Sequence, residues 1–202
     1  MSSETVRPFD RVRSGTVFGE GAGAVTLEVM EDAKARQAAI LGEFLGSGCT
    51  TEATGLLDLR RDGDGLSRAI QMALTDAGIS PSDVGMIVAH GNGTPASDAS
   101  EARAIRRVFG DDLPPVTGFK WAFGHLIAAS GVLDLVLALT ALKERIVPGI
   151  ATLNSLDPAI APFTASRMPQ QPRSDIALIL CRGFGGMNAA LIIRGSTSAS
   201  GR

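Results

Sequence analysis

Residues 84–89 form a short, nearly continuous apolar run that ends directly on His90 and a glycine-rich loop. A strand apolar on both sides has to be buried on both faces, and such strands belong to sheets covered by helices. The segment before it places Leu66, Ile70, Ala73, Leu74 and Ala77 on one helical face. Gly78 stands where that helix ends and Pro81 follows, a coherent stop signal. The alternation continues downstream. Asp98 and Glu101 have the spacing of a capping box for a helix carrying Ala102, Ile105 and Phe109 on one side. Residues 114–117 read as a second short strand, and residues 126–142 as a buried helix. Residues 176–181 and 189–194 are two apolar runs joined by Arg182-Gly183-Phe184-Gly185-Gly186-Met187-Asn188, a hairpin with a glycine-rich tip. Upstream, residues 16–18, 24–29 and 39–45 read as extended pieces, and residues 46–63 as a loop. The order strand, helix, strand, helix, strand, helix and two strands predicts an α/β layer with a mostly parallel sheet. With 202 residues, 45% of them apolar, the chain suits one core or one half of a larger pseudo-symmetric fold.

The formal net charge is −2 and no basic stripe is evident, so no nucleic-acid partner is expected. The polar N-terminus does not read as a signal peptide. The apolar stretch at 126–142 carries Gly131 and Asp134 and is short for a membrane span. Cys49 and Cys181 lie far apart, outside any CxxC or Cys/His ligand spacing, so neither a zinc site nor a disulfide framework is indicated. Reduced thiols and a cytoplasmic location are the expectation.

Three glycine-rich loops could carry chemistry. The first is His90-Gly91-Asn92-Gly93-Thr94-Pro95, after the buried strand. The second runs from Gly118 through Lys120 to Gly124-His125, ahead of the apolar helix. The third is the hairpin tip. Loops at the carboxyl ends of parallel strands converge on the ligand crevice of an open α/β sheet. His90 and His125 are the only histidines of the chain. Imidazole suits proton transfer and hydrogen-bond donation near neutral pH, and neighbouring glycines let backbone amides and a ligand approach closely.

Taken together, four motifs resemble the β-ketoacyl synthase (ketosynthase) family. Arg7-Pro8-Phe9-Asp10 with Arg13 and Gly19-Glu20-Gly21-Ala22-Gly23 resembles its RPFDxxRxGxxxGEGAG run. His90-Gly91-Asn92-Gly93-Thr94-Pro95 with Asp98 and Glu101 resembles HGTxTxxxDxxE. Lys120 with Gly124-His125 and Ala128-Ala129-Ser130-Gly131 resembles KxxxGHxxxAxG. Gly183-Phe184-Gly185-Gly186-Met187-Asn188 resembles the closing GFGGxN. The motifs stand in the family's order and span the chain from Arg7 to about Ile193. The resemblance implies a thiolase-like fold: residues 1–38 would end the N-terminal half, 39–195 would form the C-terminal half with a five-stranded mixed sheet and helices on both faces, and 196–202 would be a disordered tail.

The resemblance also implies decarboxylative condensation of acyl and malonyl thioesters. His90, His125 and Lys120 would be catalytic, with Lys120 paired to Glu101 and with Glu101 and Asp98 in support. Asn92, Thr94, Phe184 and Gly185 would face the pantetheine arm and acyl group. No metal or redox cofactor is implied, since the substrates ride on the phosphopantetheine of an acyl carrier protein. The sequence departs from the family in three places. Asn92 stands where a Thr is usual, Arg182 replaces the first aromatic of the closing motif, and no nucleophile segment is present. The expectation is therefore a half that takes its cysteine from a partner or from a missing half, as a dimer or hetero-oligomer. Two alternatives stay open: a non-catalytic partner similar to chain-length factors, and a thiolase-like enzyme using Cys181. Cys49 is expected to be structural.

Overall fold

In the computed structural model residues 5–196 are described. Of the expected tail only Ser196 falls among them; residues 197–202 lie outside. In chain order the elements are α1 (Met30–Ala35), β1 (Gly42–Thr51), α2 (Asp64–Ala77), β2 (Met86–Val88), α3 (Pro95–Phe109), β3 (Val116–Thr117), α4 (Lys120–Phe123), α5 (Ser130–Glu144), β4 (Ile176–Gly183) and β5 (Met187–Gly195). The strands form one sheet in the order β1-β5-β4-β2-β3. β2 runs parallel to both β3 and β4, whereas β5 pairs antiparallel with β4 and β1. The sheet is thus mixed, and not mostly parallel as the simple alternation of elements predicts. The hairpin and the edge strand account for the difference.

Period-two alternation divides the strands between two cores. Ile87, Leu178, Leu180 and Ile192 point to the side covered by α2 and α3, where they meet Leu66, Ile70, Ala73 and Ile105. Met86, Val88, Ala177, Ile179 and Ile193 point to the other side, against Phe119 and the α5 residues Ala138, Ala141 and Leu142. Helices therefore lie on both faces. The stop signal of α2 holds: Gly78 is its C-cap at φ 65°.

Four local expectations give way. Residues 46–63 are not all loop, because β1 continues to Thr51 on its ladder with β5. Its glycines serve close approach: a Cβ on Gly46 would stand 2.5 Å from the main-chain nitrogen of Ala77, and one on Gly48 2.1 Å from the Ala69 carbonyl, both in α2. Residues 16–18 make only an isolated bridge, Phe18 to His125, and 24–29 form no strand. No neighbouring strand offers residues 24–29 a ladder, and Val25, Leu27 and Val29 stay exposed. The helix expected from 126 begins at Ser130, after a 3-10 turn at Ile127–Ala129.

Candidate active site

Two parallel strands set the site. β2 ends at Val88 and β3 at Thr117, and they are register neighbours, Val88 opposite Thr117. Their following loops emerge side by side, carrying His90 from one and Lys120 and His125 from the other. The two imidazole rings lie 5.2 Å apart, centroid to centroid, edge to face at 81°. His90 is buried and His125 half-buried.

Each ring has its Nδ1 occupied. The main-chain N–H of Arg182 donates to Nδ1 of His90 at 3.3 Å. The main-chain N–H of Ile127 donates to Nδ1 of His125 at 3.1 Å, and the Ser130 hydroxyl lies 3.0 Å from the same nitrogen. An imidazole that accepts at Nδ1 carries its proton on Nε2 when neutral. Burial, then the nearby Lys120 charge, pushes His90 well below the ordinary histidine range and His125 down to about 4. Both rings are therefore neutral near pH 7, each with one Nε2–H to donate. Such a pair can stabilise negative charge building on a carbonyl oxygen.

The expected helpers are present, with different partners from those anticipated. Lys120 is fully buried, and its Nζ lies 3.2 Å from Oδ2 of Asp134, so the expected pairing with Glu101 gives way to Asp134. A carboxylate within the apolar run of α5 is the available signal, since such a group needs a buried cation. Glu101 instead accepts the main-chain N–H of His90 at 2.7 Å and that of Gly91 at 2.9 Å. It clamps the turn that presents His90. Burial pushes Glu101 upward, and the two amides with the Arg182 and Lys120 charges oppose that shift.

Asp98 accepts from the main-chain N–H groups of Phe9 at 2.8 Å and Gly93 at 3.1 Å. Asp98 and Glu101 thus hold loops and are not a capping box; the N-cap of α3 is Thr94. Burial is the chief force raising Asp98 to about 7, opposed by the Phe9 amide and raised further by Glu101. The Arg7–Asp10 run is fastened at the same place: Asp10 accepts from the amides of Asn154 and Ser155 at 2.7 and 2.9 Å, and Arg13 pairs with Asp157 at 2.7 Å.

Gly93, at φ +77°, could not carry a side chain, because a Cβ would meet the Gly15 carbonyl at 2.7 Å. Asn92 turns its Oδ1 toward Thr94, accepting from its N–H at 3.0 Å and its hydroxyl at 2.8 Å. The Thr94 oxygen keeps its lone pairs for an incoming donor. At the hairpin tip Phe184 is 59% exposed, and Gly185 donates its N–H to the Leu56 carbonyl at 2.8 Å. Cys181 is half-buried, and burial pushes its thiol above the ordinary range, which disfavours the thiolate a nucleophile needs. Cys49 is exposed on β1. In the sequence Ser130, Asp134 and Asn188 stand only as motif or helix residues with no role assigned, and Glu52 is not singled out; Glu52 and Asn188 surround Arg182.

Residues 41–154, more than half of the chain, match the family model "Beta-ketoacyl synthase, C-terminal domain". The chain belongs to the β-ketoacyl synthase family. It is 39% identical over 193 residues to 3-oxoacyl-[acyl-carrier-protein] synthase 2 of Synechocystis sp., covering 93% of this chain and 46% of the relative. It is 36% identical over 185 residues to the synthase of the same name from Mycobacterium tuberculosis, covering 92% and 44%. Among solved structures, the ishigamide ketosynthase/chain length factor superposes with a TM-score of 0.90 at 34% identity, over 97% of this chain and 48% of that one. A β-ketoacyl synthase from Burkholderia phymatum gives 0.90 at 33%, over 95% and 47%. The type II polyketide ketosynthase of AntDE:AntF, solved with its acyl-carrier protein, gives 0.90 at 31%. The sequence therefore spans about half the length of the ketosynthases it matches, and its mixed five-stranded sheet is their C-terminal half.

Proposed function

We propose that this ketosynthase half supplies the decarboxylation and enolate-stabilising side of a condensing site. Its complete site adds a cysteine nucleophile from another half or subunit, and an acyl carrier protein delivers both thioesters. The observation that carries the reading is the His90–His125 pair: two neutral rings 5.2 Å apart, each with Nδ1 held by a main-chain N–H. A malonyl-type thioester bound there loses carbon dioxide. The electron pair of the breaking C–C bond moves to the thioester oxygen as an enolate, which the two Nε2–H groups stabilise. The enolate carbon then attacks the acyl group held on the cysteine, and the thiolate leaves. Burial, with the Lys120 charge beside it, disfavours protonation of either ring and so preserves two donors, while Asp134 pairs with the buried Lys120. Thr94 and Asn92 would face the pantetheine arm, and Phe184 and Gly185 the acyl group. No metal or redox group enters this chemistry. The raised Cys181 thiol supports a packing role for that residue over a thiolase-type one.

The test is reconstitution with the polypeptide that carries the cysteine, followed by carbon dioxide release from a malonyl thioester. His90→Ala and His125→Ala are each expected to lower kcat about 100-fold or more. Full decarboxylation by either variant would remove the reading, and full activity of Cys181→Ala would close the thiolase alternative.

A further inference from the structure

Arg182 breaks the family pattern by placing a cation where the closing motif usually has an aromatic, and a buried cation needs partners. It is 9% exposed and reaches three other segments of the fold. Nη2 pairs at 3.1 Å with Oε1 of Glu52, just past β1, whose side chain is fully enclosed. Nε donates at 3.1 Å to Oδ1 of Asn188 on β5, and Asn188 in turn donates to the same Glu52 oxygen at 3.1 Å. Nη1 donates at 3.3 Å to the Ser97 carbonyl in the first turn of α3. The main chain of the same residue donates to Nδ1 of His90.

That last bond needs support. The β2–β4 ladder stops at Val88 opposite Ile179, so on the β2 side no ladder holds the backbone of Arg182. Past Gly183 the chain turns through Gly185 and Gly186, both at positive φ. On the other side the β5 ladder runs on through Arg182 opposite Asn188 and Gly183 opposite Met187, and the guanidinium, clasped by Glu52, Asn188 and Ser97, adds side-chain anchors to that strand end. The charged groups acting on His90 from the surrounding elements are Lys120 on α4 and Arg182 itself, with His125 beside them; Glu101 on α3 accepts its main-chain N–H, and Asp134 on α5 pairs with Lys120.

We propose that Arg182 is a positioning residue: its anchored guanidinium holds its own main-chain N–H against Nδ1 of His90 and so keeps the His90 proton on Nε2, the donor to the enolate. The proposal rests on the condensing role assigned to His90. Its test needs no turnover. With only two histidines in the chain, 15N-histidine labelling resolves both rings by NMR, in the chain alone or in its assembly. His90 is expected as the single Nε2–H form at neutral pH. Arg182→Met is expected to convert that signal to an average of two tautomers while His125 keeps its pattern, and Arg182→Lys to restore much of it. In the reconstituted enzyme Arg182→Met is expected to lower kcat about 10- to 100-fold with little change in KM.

A wild-type His90 protonated on Nδ1, or Arg182→Met signals identical to wild type, would overturn the proposal. If Arg182→Met does not fold, Glu52→Gln takes its place. Removing the counter-charge must then disturb the His90 signals, and unchanged signals count against the proposal. An assembly that lacks decarboxylation but whose His90 signals respond to Arg182→Met supports the hold on His90 and overturns the condensation reading alone.

Discussion

The site depends on single groups being kept in unusual ionisation states. His125 is held neutral down to about pH 4 in the folded chain, while an unfolded histidine takes its proton near its ordinary value of 6.5. A depressed histidine contributes stability that is present above the unfolded value and lost as pH falls through the folded one. Asp98, raised to about 7, works in the opposite sense, favouring the folded state as the pH drops. The histidine contribution is isolated by a variant. Between about pH 7 and pH 5, wild type is expected to lose more urea stability than His125→Gln, and equal losses would refute this. Lys120 and Asp134 form a buried ion pair, enclosed to 0% and 1%. Lys120→Met leaves a buried carboxylate without its cation, while Oδ1 of Asp134 already has no hydrogen-bond partner. The expected loss is about 3–5 kcal/mol in denaturant unfolding, and Lys120→Met/Asp134→Leu should recover most of it. A double variant as unstable as the single one would refute that ion-pair account.

Among the elements, β1 shows how a pattern can be read correctly and still be misplaced. Its glycines look like loop residues, yet they let α2 lie against the strand backbone. A register shift between Phe44 and Gly46 changes which side the strand's residues face. Gly42 is turned toward Leu139 of α5, while Gly46 and Gly48 are turned toward α2. Gly48→Val is therefore expected to cost about 3 kcal/mol or more, because its Cβ would collide with fixed backbone. Gly185→Ala has open space around it, and only its φ of +73° to overcome. It should cost about 1–2 kcal/mol. Chemical denaturation of the two variants checks the order, and a reversed order would contradict the packing account. α2 and α3 were legible because their helical spacing matches their burial, and β2, β4 and β5 because apolar runs match largely buried strands. Residues 24–29 alternate as a strand does but have no strand beside them, and a ladder needs a partner.

Over the whole molecule, the exposed apolar side chains are unevenly used. Phe18, Val25, Leu27, Val29, Ile127 and Val136 lie open on and around the segment that passes His125 and α5. Leu56, Leu57, Phe184 and Met187 lie open around the hairpin tip. Exposed apolar surface favours association in water. The chain by itself is expected to sediment or scatter as more than a monomer at micromolar concentration, and a monodisperse monomer would count against this. No helix among the described residues is long and apolar enough to cross a membrane.

The sequence by itself determined the alternation of layers, the buried strand ending on His90, the hairpin with its glycine tip, and the family resemblance. These rest on local periodicity and on motifs of consecutive residues. Only the tertiary structure decided that Lys120 pairs with Asp134, that Glu101 and Asp98 clamp loops, and that Arg182 reaches Glu52 and His90. The physical reason is distance along the chain. Buried charges are satisfied by whatever the fold brings within about 3 Å, and Glu52 and Arg182 lie 130 positions apart.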